Sequence, residues 1–403
     1  MKTRRIHFEL DEAAELIQNG QLVAVPTETV YGLAGNGLDQ KAVESIYEVK
    51  GRPAVKPLSL MVPGPKAMPL YCDPIPKAAV DLAEKFWPGP LTIVLKAREI
   101  VPEIVRAGGD TVGLRCPDHP MTLDLLRYTG LPFAAPSANP SGEPSPKTAE
   151  DVLQYFDGKI SAVVDGGPCG IGKESTLLDM SVTPYRILRQ GALSREEIAD
   201  ALVDRMTILG ITGGSGSGKT TALNALRSRG ALVLDCDAIY HELLQSDAEL
   251  ISGLQEAFPG CVLDGRVDRG LLAAAVFSDP EALEALNRLT HLRVTARVRE
   301  LLREHAMSGG ALAAVDAVEL FAGGIDQVCD LTIAVTASVE TRVQRIMHRD
   351  GISRERALAR IQAQKPDSYY SDRCDVTLTN NEDEHRFLSK FIDSLKENKL
   401  WTN

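Results

Sequence analysis

The sequence predicts an α/β protein in two successive parts, an α/β domain over residues 1–203 and a doubly wound parallel sheet over 204–403. Three observations carry this. Short apolar runs alternate with helix-forming stretches along the whole chain, the pattern of packed strand and helix layers. In the second part those runs are apolar at nearly every position, as strands covered on both faces require. One of them leads directly into a glycine-rich loop that opens a helix.

In the first part, runs at 22–27 (LVAVPT), 91–97 (LTIVLKA), 160–166 (ISAVVDG) and 175–181 (STLLDMS) read as strands. The proline-rich segment 136–146 (PSANPSGEPSP) is too rigid and too poor in N–H donors for a sheet interior and reads as a surface loop. Residues 194–206 read as one helix, with Ser194 as N-cap and Glu197 three residues on completing a capping box. The junction between the two parts falls there, without a flexible Gly/Ser linker. The second part then predicts strand 206–212, helix 219–229, strand 231–236, helical stretches over 238–305, and strands 310–318, 331–337 and 376–380. Buried strands separated by helices in this order predict a parallel, doubly wound sheet.

The 403 residues include 44 basic and 55 acidic side chains, a net charge of −11, and both parts are mildly acidic. An electrostatic nucleic-acid binder shows a basic excess, so small molecules held by a few placed cations are the expected partners, and DNA is not. The 7 cysteines form no C-x-x-C pair, which argues against structural zinc and for a reducing compartment. The basic start MKTRR lacks a following apolar core and no apolar run approaches membrane length, so a cytoplasmic protein without a membrane partner is expected.

Chemistry is most legible at 206–221, MTILGITGGSGSGKTT. Gly213-x-x-x-x-Gly218-Lys219-Thr220 after an apolar strand is a phosphate-binding loop. Backbone N–H groups of Gly214, Ser215, Gly216, Ser217 and Gly218 can turn toward an anion, and Thr221 continues the segment into the helix. Lys219 supplies a mobile charge near the β and γ phosphates of ATP, and the Thr220 hydroxyl can ligate Mg²⁺. Asp235-Cys236-Asp237 ends the next strand on the edge where this loop opens. Asp237 there could accept a proton from a hydroxyl acceptor; it could equally cap the helix that follows. Arg342, Arg345 and Arg349 fall on one helix face by spacing, either a solvated basic face or a lid over transferring phosphate.

Residues 206–397 resemble the dephospho-CoA kinase family. The resemblance rests on ITGGSGSGKT (211–220), LDCDAIYHELL (234–244), DRGLLAAAVFSDPEALEALNRLTHLRV (268–294), RVQRIMHRDGISRERALARIQAQ (342–364) and CDVTLTNN (374–381). It implies dephospho-CoA as phosphoryl acceptor, Lys219, Asp237 and Arg349 as catalytic groups, and Arg342, Arg345 and Arg349 as the lid. The chain differs from the family at His291-Leu292, where His-Pro is usual, and over 318–322 (VELFA), where Pro-Leu-Leu-Phe-Glu is usual. The alternative, a nucleoside monophosphate kinase, uses the same loop. A GTPase would require an Asn-Lys-x-Asp base reader, which is absent.

The first part offers only His7 and His119 and no nucleophile elbow, so covalent catalysis is not expected. Its distinctive groups are cations in Gly/Pro-defined loops: Lys50, Arg52, Lys56, Arg115 and Arg189. Residues 8–192 resemble the threonylcarbamoyl-AMP synthase family, through PTETVYGLAG (26–35), KGRP with KPLSL (50–60), WPGPLTIVL (87–95), VGLRCPDHP (112–120), APSANPSGEPSP (135–146), ESTLLD (174–179) and ILRQGA (187–192). The resemblance implies a mixed, twisted α/β sheet and synthesis of threonylcarbamoyl-adenylate from threonine, bicarbonate and ATP, for later transfer to tRNA by other proteins. It implies Lys50 and Arg52 as catalytic groups and Thr29, Arg115 and Ser175 around threonine. Arg52, Lys56, Thr111, Ala135, Ser137, Asn139, Ser145 and Arg189 would line the ATP site. Met61 stands where several relatives carry histidine. The whole chain would then be bifunctional; the rival reading makes the first part a nucleotide-sensing or RNA-binding module.

Overall fold

The computed structural model describes residues 2–276 and 279–400. Phe277 and Ser278, inside the expected helical stretch 238–305, and the expected domain ends at residues 1 and 401–403 lie outside the described residues. Two compact units divide the chain, one running to Arg205 with Met307–Gly309 grouped into it, the other starting at Met206 and resuming at Gly310.

The first unit contains β1 (Arg4–Ile6), β2 (Val23–Val25), β3 (Gly32–Asn36), β4 (Ser59–Met61), β5 (Leu91–Lys96), β6 (Thr111–Arg115), β7 (Phe133–Ala134), β8 (Ala162–Val164), β9 (Thr176–Asp179) and β10 (Arg186–Arg189). They form one mixed sheet in the order β1-β8-β2-β3-β7-β4-β6-β5-β9-β10. β5 is antiparallel to β6 and parallel to β9, and β4 is parallel to β6. Its core gathers Ile17 of the helix Leu10–Gln18 with Val23, Val25, Phe133 and Val164 from three strands.

The proline-rich segment is a loop, as expected, with one isolated bridge, Ser137 to Gly32. Pro136 accepts from the Leu33 N–H (2.7 Å) and Ala138 donates to the Tyr31 carbonyl (2.8 Å), so 136–138 bridges the edge of β3. Proline lacks a donor but keeps its carbonyl, and at this bridge Pro136 has only to accept. The helix Arg195–Val203 begins as its sequence demands: Ser194 Oγ accepts from the Glu197 N–H (3.1 Å) while the Glu197 carboxylate accepts from the Ser194 N–H (2.7 Å).

In the second unit, β11 (Thr207–Thr212), β12 (Leu232–Asp235), β15 (Leu312–Asp316), β16 (Leu331–Thr336) and β17 (Val376–Thr379) form a fully parallel sheet in the order β12-β15-β11-β16-β17. All six residues of β16 are buried, the continuous apolar reading of a strand covered on both sides. Phe387 and Phe391 of the helix Glu384–Glu397 stack on each other and join Leu209, Ile211, Ile333 and Val335 in the core. The stretch 238–305 is not helical throughout. A hairpin of β13 (Val262–Leu263) and β14 (Arg266–Val267) interrupts it, turning on Asp264 and Gly265, both at positive φ (50° and 75°). An Asp-Gly pair flanked by apolar residues is the ordinary signal for such a turn.

Candidate active sites

In the first unit, a cavity of about 200 Å³ opens where β4, β6, β9 and the 135–137 segment converge. Arg52, Arg115, Ala135, Ser137, Ser175 and Arg189, all expected site residues, line it together with Met61. Arg52 follows Gly51, which ends the helix Gln40–Lys50 in the left-handed conformation at φ 57° that glycine tolerates. The Arg52 guanidinium donates to the carbonyls of Lys56 (3.2 Å) and Pro57 (2.9 Å), and burial lowers its pKa.

Arg189 donates to the Ser175 carbonyl (3.0 Å) and pairs with Glu174, whose carboxylate also accepts from Ser145 Oγ (3.1 Å). Ser175 Oγ lies 2.8 Å from Thr92 Oγ1. Glu174, Ser59 and Thr92 line the cavity and were not singled out in the sequence. Glu174 directly precedes Ser175 in the EST motif, a signal that could have found it.

The remaining expected residues stand behind this wall or away from it. Lys50 is buried, and its ammonium donates to the carbonyls of Ser137 and Asn139, so it braces the 135–146 segment from below. Burial, with Arg52 adding repulsion, lowers the Lys50 pKa to about 8. Asn139 is buried and donates to the Pro140 and Glu143 carbonyls of its own loop. Thr29 is fully buried beside Arg115. Lys56 is exposed and contributes its carbonyl rather than its ammonium, while Thr111 starts β6, at the far end from Arg115.

In the second unit, Gly214 to Thr220, Asp235, Asp237, Asp316, Val318, Arg345 and Arg349 line a cavity of about 390 Å³. Thr221, the last residue expected at the loop, is the third residue of the helix Lys219–Arg227. Gly216 and Gly218 hold φ of 78° and 96°, which any other residue would adopt only under strain.

The carbonyl side of this loop is covered by donors. Arg342 Nε donates to Ser215 O (2.9 Å), Arg345 Nη1 to Ser217 O (3.1 Å), and Asn380 Nδ2 also to Ser217 O (3.1 Å). With its oxygens satisfied from outside, the loop can present N–H groups inward. Arg342 is therefore placed differently from the lid expected by spacing. It is 3% exposed, paired with Asp367 at 3.0 Å and hydrogen-bonded to Gln364 at 2.7 Å. Gln364 Oε1 accepts from the Ser215 N–H (2.9 Å) and its Nε2 donates to Ser215 Oγ (2.8 Å). Arg349 alone of the three arginines makes no bond to the loop among the described residues; it pairs with Asp350 at 2.7 Å. Arg342→Ala is expected to weaken ATP binding about tenfold, close to the loss of one charged hydrogen bond; calorimetric titration of the intact chain measures it.

The helix cap expected at Asp237 falls on its neighbour instead. The helix Cys236–Ser246 is capped by Asp235, whose Oδ1 accepts from the N–H groups of Asp237 (2.9 Å) and Ala238 (3.1 Å). Asp237 is thereby free, and it lines both this cavity and a neighbouring one of about 210 Å³. The second cavity is walled by Tyr240, Asn287, His291, Val318 and Glu319 and so takes in both segments where the sequence departs from the kinase family it resembles. Leu292 itself is 73% exposed.

Asp316, at the end of β15, was not singled out and is central. Its carboxylate lies 3.9 Å from Lys219 Nζ, which also donates to the Gly213 carbonyl (2.6 Å). Burial raises the Asp316 pKa to about 6 against the pull of Lys219, and burial likewise lowers Lys219. The folded carboxyl thus holds its proton to about 6, whereas the ordinary value is 3.8. Between those values the folded chain binds more protons than the unfolded one. The contribution of Asp316 to stability should therefore fall as pH rises from about 4 to about 6, by on the order of 2–3 kcal/mol, and level off above. Thermal unfolding across that window should show this term as a wild-type stability that declines relative to Asp316→Asn as pH rises.

Comparison with known proteins bears on both units. A family model described as telomere recombination, covering Sua5, YciO and YrdC proteins, matches residues 15–191, and one described as dephospho-CoA kinase matches residues 207–385. A threonylcarbamoyl-AMP synthase of Pyrococcus abyssi is 48% identical over 198 residues, 49% of this chain and 58% of that protein, so the chain spans little more than half the length of that relative. Another, from Marinobacter nauticus, is 34% identical over 43% of this chain and 92% of its own length. A dephospho-CoA kinase of Deinococcus radiodurans is 39% identical over 43% of this chain and 83% of its own length.

Proposed function

Because the chain belongs to the threonylcarbamoyl-AMP synthase family through its first unit and to the dephospho-CoA kinase family through its second, we propose that it is a bifunctional enzyme with two separate ATP sites. One makes threonylcarbamoyl-adenylate and pyrophosphate from threonine, bicarbonate and ATP; the other phosphorylates the 3′-hydroxyl of dephospho-CoA. The observation that carries this reading is the presence, in each unit, of its own cavity lined by cations and hydroxyls on fixed backbone.

At the first site a carbamate oxygen formed on the threonine amine attacks the α-phosphorus, a new P–O bond forms, and the bond to pyrophosphate breaks. Such a step needs alignment and charge neutralisation more than proton transfer. Arg115 and Ser175 hold threonine, and Arg52 and Arg189 receive the phosphates. Lys50 acts through the segment it braces, keeping Ser137 in the wall.

At the second site the loop amides and Lys219 hold the phosphates of ATP, Arg349 neutralises charge on the transferring group, and Asp237 receives the proton of the acceptor hydroxyl. The position of Asp237 in the walls of both cavities supports that assignment. The neighbouring cavity, which sets Leu286, Val294, Val318 and Ile325 beside Asn287, Thr290, His291 and Glu319, suits the acceptor.

The oxygen donors here fit a hard divalent cation. The Thr220 hydroxyl shares the cavity with Asp235, Asp237 and Asp316, yet among the described residues no three acidic, His or Cys groups are arranged to hold a metal ion. Mg²⁺ keeps its waters and takes ligands from substrate phosphates, so a ready-made cage is not required. Bound there with ATP, Mg²⁺ would offset the charge of the β and γ phosphates.

Among the described residues no helix is long and apolar enough to cross a membrane, and all seven cysteines are free thiols. We place the enzyme in the cytoplasm, its adenylate passing to other tRNA-modifying proteins. The intact chain should release pyrophosphate with threonine, bicarbonate and ATP, and make coenzyme A from dephospho-CoA, with two ATP bound per chain at saturation. Absence of either product removes the corresponding half of the proposal.

A further inference from the structure

Arg115 is fixed by a set of groups that the first site's chemistry does not use. Its guanidinium is nearly buried, at 9% side-chain exposure, and both hydrogens of Nη2 are engaged: one by Glu28 Oε1 at 2.7 Å, the other by Thr29 Oγ1 at 2.7 Å. Glu28, 12% exposed, uses its second oxygen to accept from the Asp118 N–H at 2.9 Å, and so ties the turn before β3 to the turn after β6.

The polarity of the hydroxyls follows. Thr27 Oγ1 donates to the Val30 carbonyl at 2.7 Å, so in its 2.9 Å contact with Thr29 the hydrogen must come from Thr29. Thr29 therefore meets Arg115 as an acceptor. With Nε directed to the Gly89 carbonyl at 3.4 Å, only the Nη1 amino group, which makes no hydrogen bond among the described residues, remains for a ligand in the cavity.

We propose that Glu28 is the positioning residue of the first site: with the Thr27–Thr29 pair it holds Arg115 so that Nη1 alone faces the carboxylate of the amino-acid substrate. The inference rests on the threonine reading above. A carboxylate is needed at position 28 because both of its oxygens face donors. A glutamine of the same shape would turn its NH₂ group either against Arg115 Nη2 or against the Asp118 N–H, and one of the two contacts would be lost.

The test uses the intact chain and compares threonine with threoninamide, which keeps the reacting amine and lacks the negative charge. Wild-type kcat/KM ratios for the two set the baseline. Glu28→Gln should raise the KM for threonine about tenfold, a penalty of about 1.4 kcal/mol, leave the KM for ATP within about twofold, and reduce the threonine-to-threoninamide preference about tenfold. Thr29→Val, which deletes the other acceptor on Nη2, should move the ratio the same way. Because a ratio does not depend on the folded fraction, a merely structural role would lower both rates together and leave it unchanged; that result in both variants overturns the proposal. A wild type that releases no pyrophosphate with threonine would instead overturn the threonine reading, and this inference with it.

Discussion

Lys219→Ala should lower coenzyme A formation about a thousandfold, near 4 kcal/mol of transition-state stabilisation, while pyrophosphate release at the first site stays within about twofold of wild type. The Lys219 ammonium is held by the Gly213 carbonyl and sits 3.9 Å from Asp316, in a wall that the loop amides complete. Removing it leaves those amides to carry the phosphates alone. Parallel assays of both products on one preparation measure this. Equal loss of both would contradict two independent sites.

Arg52→Ala should do the reverse, cutting adenylate synthesis by about a hundredfold or more and sparing the kinase. Arg52 is set in the cavity by the Lys56 and Pro57 carbonyls, with no carboxylate as its hydrogen-bond partner among the described residues, whereas Arg115 and Arg189 already have Glu28 and Glu174. Its charge is therefore the one least offset within the protein and the most available to phosphate. Pyrophosphate release unchanged in this variant would remove Arg52 from the site.

How much of this was legible in the sequence depends on how far apart the partners lie. The phosphate loop could be read outright, since its donors are consecutive and the glycine spacing itself encodes the turn. The parallel sheet followed from continuous apolar runs. The helix face carrying Arg342, Arg345 and Arg349 followed from spacing, but not what that face meets: periodicity gives a direction, and only the fold shows that Arg342 and Arg345 reach the loop's carbonyls. Asp316, Gln364 and Asn380 come to the loop from 97 or more positions away through sheet order, and no local pattern marks them. The first site was harder still. Lys50 and Arg52 are two residues apart, yet one faces the cavity and the other braces its wall from behind. The mixed order of ten strands that assembles the rest of that wall has no signature in composition or period.

Asp237 borders the loop cavity on one side and its neighbour, walled by Tyr240 and His291, on the other. A ligand that draws its charge to one side alters the field on the other, so the affinities of the two ligands are tied by a single exchange term. That term must be equal in both directions: whatever factor ATP contributes to capture of the acceptor, the acceptor returns to ATP.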